Sequence, residues 1–93
     1  LTPKIIEQYA DKWDWHELSK NYNLKPSFDL LDKFADKWDW EHIINRWCGE
    51  ELYTPEFLER YKGFIPGEAF HGSNLWDRLI EKRVNELAEE IVG

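Results

Sequence analysis

The apolar positions of this chain come in short one-sided bursts rather than in alternation. Ile5, Ile6, Tyr9 and Trp13 follow the spacing of one face of an amphipathic helix, and Leu30, Leu31, Phe34 and Trp38 follow it again. A longer stripe closes the chain: Leu75, Trp76, Leu79, Ile80, Val84, Leu87, Ala88 and Ile91. That stripe predicts a helix over about 74–91, starting at Ser73 or Asn74. No stretch shows the period-2 alternation of a half-buried strand, so the pattern predicts an all-α fold.

Punctuation marks where these helices begin and end. Thr2 is a suitable N-cap and Pro3 suits the first helical position, which needs no N–H. Thr54-Pro55 carries the same signal, and Ser27 supplies the cap alone. Asp14 reads as a second N-cap with Glu17 three residues on, a capping box, and Trp13 with Leu18 forms a hydrophobic staple across it. Asp39 repeats the cap and Trp38 with Ile43 the staple, but His42 stands where the box glutamate would be, which predicts a weaker box. Asn21 and Asn23 are expected to end the helix before them by taking left-handed backbone geometry, and Gly49 and Gly63 to end the fourth and fifth helices. Pro26 breaks the chain before the Ser27 cap. Residues 64–72, with Pro66, Gly67 and Gly72, read as an irregular loop.

These signals recur with a period. Ala10-Asp11-Lys12-Trp13-Asp14-Trp15 returns unchanged 25 residues later as Ala35-Asp36-Lys37-Trp38-Asp39-Trp40. Upstream, Ile5-Ile6 becomes Leu30-Leu31 and Tyr9 becomes Phe34; downstream, Leu18 becomes Ile43. A third copy opens at Thr54, with Phe57, Leu58 and Tyr61 in place, then departs at Gly63-Phe64-Ile65-Pro66. Periods of this length belong to helical repeat arrays. The reading is one domain over 1–93, with about six helices in tandem helix-turn-helix repeats at about 2–24, 27–49 and 54–66. The long C-terminal helix is expected to cover the open apolar end of the array.

The stretch from Tyr9 to Asn21, with its Trp-Asp-Trp-x-x-Leu-Ser-x-Asn pattern after a Thr-Pro-x-x-Ile-x-x-Tyr helix, resembles short tandem helical repeats of bacterial and large-virus proteins. The second copy keeps Phe34 to Trp40 but has Ile43-Ile44-Asn45-Arg46 where Leu-Ser-x-Asn would fall. The third keeps its first helix only, and nothing from Phe64 onward matches. The resemblance implies a helical repeat fold and no specific chemistry.

Composition removes several function classes. The 93 residues carry 12 Lys+Arg against 19 Asp+Glu, a formal net charge of -7. That balance argues against binding a nucleic-acid backbone, which needs a basic stripe to displace counterions. It suits a partner protein with a basic surface. With 6 Trp, 4 Tyr and 5 Phe the chain is too aromatic for a disordered segment. One cysteine, Cys48, cannot form an internal disulfide, which favours a reducing, cytoplasmic setting. No apolar run approaches the ~20 residues of a membrane span, and no N-terminal segment reads as a signal peptide. Without a Met, the first residue is no initiator, so either the start is trimmed or this is a piece of a longer chain.

Candidate chemistry is sparse. Asp14, His16 and Glu17, with Asp39, Glu41 and His42, are metal-ligand residue types. A zinc site wants two His at helical spacing on one face, or Cys partners, and neither pattern occurs. These residues therefore read as caps and first-turn acids, and no metal or cofactor is expected. Convergence of Asp14, His16, Glu17 and His42 in one pocket would instead point to an enzyme. Cys48 lacks a base on its helical face, His71 lies in a loop, and no phosphate-binding glycine loop occurs. Trp13 and Trp38 read as core. Trp15, Trp40 and Trp47 either line an aromatic surface for a partner or pack between neighbouring repeats. Asp36, Asp39 and Glu41, with Glu50-Glu51, offer an acidic rim beside them. The resulting expectation is a non-catalytic protein–protein interaction module that binds no nucleic acid or membrane. Its partner-binding residues would be Trp15, Trp40, Trp47, Asp36, Asp39 and Glu41. The alternative is a small acidic inhibitor or nucleic-acid mimic that fills a partner's basic groove.

Overall fold

A computed structural model describes residues 2–21, 23–46 and 51–92. Among these the chain forms seven helices and no strand: α1 (Pro3–Gln8), α2 (Trp15–Lys20), α3 (Phe28–Lys33), α4 (Trp40–Ile43), α5 (Pro55–Tyr61), α6 (Gly67–Phe70) and α7 (Asn74–Val92). The all-α reading holds. The additional helix is α6, one turn inside the stretch expected to be irregular, and it leads through Gly72 at φ +83 into α7. Gly72 is the one glycine of the described residues in left-handed geometry, where a Cβ would strain the turn.

The helices are short, so side-chain caps carry much of their definition. Thr2 accepts from the Ile5 N–H, Ser27 from Leu30 and Thr54 from Phe57, each as expected. Asp14 accepts from both His16 and Glu17 N–H groups. Asp39 departs from the expectation: it occupies the same backbone position before α4, yet its carboxylate makes no cap bond. Asn21 also departs. Its backbone stays extended (φ -75, ψ 114), and no non-glycine residue among those described has positive φ. The Asn21 side chain instead accepts the Asn23 N–H and turns the chain that way. Gly63 is not left-handed either, because α5 ends in ordinary turn geometry at Lys62. Gly49 lies outside the described residues.

One core runs through the molecule. Ile6, Leu18, Leu24, Leu30, Leu31, Phe34, Trp38, Trp40, Ile43, Ile44, Tyr53, Phe57, Tyr61 and Leu75 are buried in it. At two places the equivalent residues of the two Trp-Asp-Trp stretches make equivalent bonds. The Trp15 indole N–H donates to Ala10 O (3.1 Å) and the Trp40 indole N–H to Ala35 O (2.8 Å). The Lys12 N–H donates to Tyr9 O (2.8 Å) and the Lys37 N–H to Phe34 O (2.9 Å). Each stretch thus doubles back tightly before its next helix, with the indole locking the corner.

Between the corners, α2 packs against α4. Ser19 is fully buried there; its hydroxyl donates to Trp15 O (2.6 Å) and accepts the Asp39 N–H (2.9 Å). Arg46, just past α4, is buried, and its guanidinium donates to Ser19 O (2.8 Å), Asn21 O (2.9 Å) and Leu24 O (2.5 Å). Its backbone N–H donates to the Tyr53 hydroxyl, which donates in turn to Ile43 O. Further along, α5 meets α3 at Asp32, whose carboxylate takes Arg60 (2.6 Å) and the Tyr61 hydroxyl (2.7 Å). Burial pushes the Tyr61 hydroxyl well above the ordinary tyrosine range, reinforced by the Asp32 carboxylate beside it.

The expected closing role of the last helix is corrected by its placement. Its first turn docks: Leu75 is buried, the Leu75 N–H donates to Ile44 O, and Asn74 donates two bonds to Asn45, from its backbone N–H to Oδ1 and from its side-chain amide to the carbonyl. Beyond Leu79 the helix leaves the core. Ile80, Val84, Leu87 and Ile91 are 46%, 57%, 42% and 86% exposed. A helix of 19 residues is about 28 Å long, and its projection accounts for the elongated 52 × 26 × 20 Å outline.

Arg46 tests this packing. Arg46→Met should lower unfolding free energy in urea by about 3–5 kcal/mol, because it leaves three buried carbonyls without donors. Arg46→Lys should recover little of that loss, since an ammonium lacks the planar fork that reaches all three.

Candidate functional site

The described residues among those expected to bind a partner differ in burial. Trp40 is 5% exposed. Its ring lies 4.7 Å from Tyr61, 6.3 Å from Phe57 and 5.7 Å from Phe64, measured between centroids. It is an interior residue, which corrects its reading as an anchor for a partner. Trp15 is half-buried against Phe34 (5.0 Å) and Trp38 (4.8 Å). Tyr61 is the third-copy counterpart of Phe34, so both indoles make the same contact: each leans on the first helix of the following segment. An indole at this corner has its N–H satisfied by its own chain and its ring against the next helix, completely for Trp40 and in part for Trp15. Of the expected core pair, Trp38 is buried and Trp13 is partly covered, with its N–H donating to Ile6 O (3.1 Å). Trp47 and Cys48 lie outside the described residues. Asp36 and Glu41 are exposed, and Asp39 is half-buried and engaged elsewhere.

Two other features take their place. The first is the outer half of α7, where Ile80, Val84, Leu87 and Ile91 form an exposed aliphatic stripe at spacings of four, three and four residues. Its charges are segregated along the helix. Arg78, Lys82 and Arg83 stand among the first ten residues with Asp77 and Glu81, whereas Glu86, Glu89 and Glu90 follow with no base among them. Arg78, half-buried, reaches Glu81 at 3.7 Å, and exposed Arg83 reaches exposed Glu86 at 3.3 Å on the same helix, the second pair of small worth. The sequence carried this signal, since the spacing is that of a helix-pairing seam. The same stripe also fits a lid over the array, which its exposure beyond Leu79 does not support.

The second feature joins the two corners. His16, in the first turn of α2, lies with Nδ1 2.5 Å from Asp39 Oδ2. His42, in the first turn of α4, has Nε2 3.8 Å from the same oxygen. The two imidazole centroids are 4.9 Å apart. One ligand atom from each of the three residues falls within a 4.8 Å span, and the group is partly open to solvent. Sequence spacing rejected a metal-ligating pair because the two histidines are not on one helix. Packing of α2 on α4 brings them together across a separation of 26 residues. Asp14 remains a cap and Glu17 faces Lys20, so the four-residue convergence that would suggest an enzyme does not form. The readable signal was the departure from the repeat. His16-Glu17 in the first copy becomes Glu41-His42 in the second.

No family model, no curated protein and no solved structure matches this chain. Among the described residues no helix is long and apolar enough to cross a membrane.

The two indoles give a graded test. Trp40→Ala should cost about 3–5 kcal/mol of unfolding free energy, the range for emptying a buried Trp site. Trp15→Ala, at a half-covered position, should cost clearly less. Equal losses in urea titrations would contradict the different burial of the two rings.

Proposed function

We propose that the chain is a non-catalytic protein–protein interaction module that pairs with a second copy of itself, antiparallel, through the outer half of α7. The observation that carries this reading is the aliphatic stripe Ile80, Val84, Leu87 and Ile91, exposed over about three turns of the outer, mostly polar half of α7. With Ile80 and Leu87 at d positions and Val84 and Ile91 at a positions, the flanking g positions are Arg83 and Glu90. In an antiparallel pair g faces g, so Arg83 meets Glu90 of the second copy, twice by the two-fold symmetry. A parallel pair would set Arg83 against Ala88 and bring the acidic segments 86–90 side by side. Charge therefore selects the antiparallel arrangement and a like partner.

Eight aliphatic side chains, each going roughly half-way to full burial at about 1.5–3 kcal/mol, oppose an association cost of about 4–15 kcal/mol. The pair is therefore weak and concentration-dependent. Sedimentation equilibrium from 1 μM to about 1 mM should show a monomer–dimer equilibrium, and Leu87→Glu should abolish it without changing the helical circular dichroism. Arg83→Glu should weaken the dimer, and combining it with Glu90→Arg should restore it. A monomer at every concentration would overturn the reading. So would a dimer indifferent to Leu87→Glu, or a double variant that fails to recover.

A further inference from the structure

We propose that His16, Asp39 and His42 form a binding site for a divalent first-row transition-metal ion, of which zinc is the type case, clipping α2 to the start of α4. This site is independent of α7 and its pairing.

The donor set comes first. Two imidazole nitrogens and one carboxylate oxygen make a borderline ligand set of the kind that holds zinc, nickel, copper or iron and leaves calcium and magnesium unbound. Three protein ligands leave a fourth position for water, and the group is open on that side, with the His16 side chain 52% exposed. Two ligands bound to one tetrahedral zinc at about 2.0–2.1 Å lie roughly 3.3 Å apart. The His42–Asp39 distance of 3.8 Å is already close to that. The His16–Asp39 pair at 2.5 Å must open slightly and the imidazoles draw together, movements within the reach of side-chain rotation.

The repeat supplies an internal control. Asp14 and Asp39 have the same backbone geometry, φ -80, ψ 101 and φ -83, ψ 94, at the same place before equivalent helices. Asp14 spends its carboxylate on the helix N–H groups, as an N-cap does, whereas Asp39 makes no cap bond and aims its carboxylate at His16. At the position where the first copy has Glu17, the second has His42, which supplies the third donor. Two departures from the repeated pattern, His16 against Glu41 and Glu17 against His42, thus fall on ligand positions, and the third ligand, Asp39, turns there at the cost of an N-cap. The supporting frame is rigid: the Asp39 N–H is held by buried Ser19, and Arg46 ties the end of α2 to the end of α4. The ligands are therefore held near their places before an ion arrives.

The test uses the whole 93-residue chain, stripped of metal. Titration with Co²⁺ should give a visible d–d absorption that saturates at one equivalent, is bleached by Zn²⁺ and is untouched by Ca²⁺ or Mg²⁺. Zn²⁺ at about 100 times its Kd should raise the Tm by on the order of 10 °C. His16→Ala and His42→Ala, both at surface-accessible positions, should each weaken Co²⁺ binding at least tenfold while leaving the metal-free circular dichroism unchanged, and Asp39→Asn should do the same. Cys48→Ser and His71→Ala should bind as the parent does. Absence of a saturable spectrum at millimolar Co²⁺ would overturn the proposal. So would binding that survives both histidine variants, or binding that is lost on removing Cys48 or His71.

Discussion

A guanidinium taken out of water must find acceptors, and in this chain the two terminal nitrogens of Arg46 find them on main-chain carbonyls at Ser19, Asn21 and Leu24, while its Nε has none among the described residues. That requirement draws the segment after α2 around the end of α4. It sets Ser19 under Asp39, and Ser19 takes the amide hydrogen at the very position where a second N-cap would begin. The two Trp-Asp-Trp corners are thereby brought side by side. The contact of Trp15 with Phe34 and Trp38, and the meeting of His16 with Asp39, both follow from that adjacency. Hydrophobic burial supplies most of the driving force for folding, but it does not choose the register of one short helix on another. The polar bonds of Ser19 and Arg46 do.

What could be read from the sequence was local. Thr2, Asp14, Ser27 and Thr54 cap their helices as their residue types dictate, because a cap is decided within three residues. The internal repeat was legible because a hexapeptide recurs unchanged, and its second indole makes the same local bond in both copies. The failures lie where a distant group outbids a local preference. Asp39 has the residue type and backbone of a cap, but His16 competes for its carboxylate from 23 residues away. Asn21 could have gone left-handed, but its extended backbone presents its carbonyl to Arg46. Trp40 looked like a candidate anchor because nothing in its own segment covers it; Phe57 and Tyr61 do, from a helix beyond it. The candidate metal group was hidden for the same reason, since spacing rules recognise ligands on one element and these come from two.

The last helix illustrates the complementary error. An apolar stripe in a sequence says that a face avoids water, not what covers it. The first turn of α7 finds its cover in Ile44 and its neighbours, held there by two bonds that Asn74 donates to Asn45. The geometry of that docking then points the helix outward, so the stripe beyond Leu79 has no partner within the described chain. The two proposed activities thus occupy opposite kinds of terrain. The histidine cluster lies in the tightly determined region between α2 and α4. The pairing surface lies on the part of the molecule that contributes least to the core.

The account stands on α2 and α4 opening as one unit, and the amide hydrogen of Asp39 reports on it directly. Native-state hydrogen exchange should give the Asp39 amide a protection free energy matching those of Leu18 and Ile43, whose N–H groups are held within the two helices. Exchange of the Asp39 amide near the unprotected rate, while Leu18 and Ile43 remain protected, would show that the corners are not joined and would contradict the account.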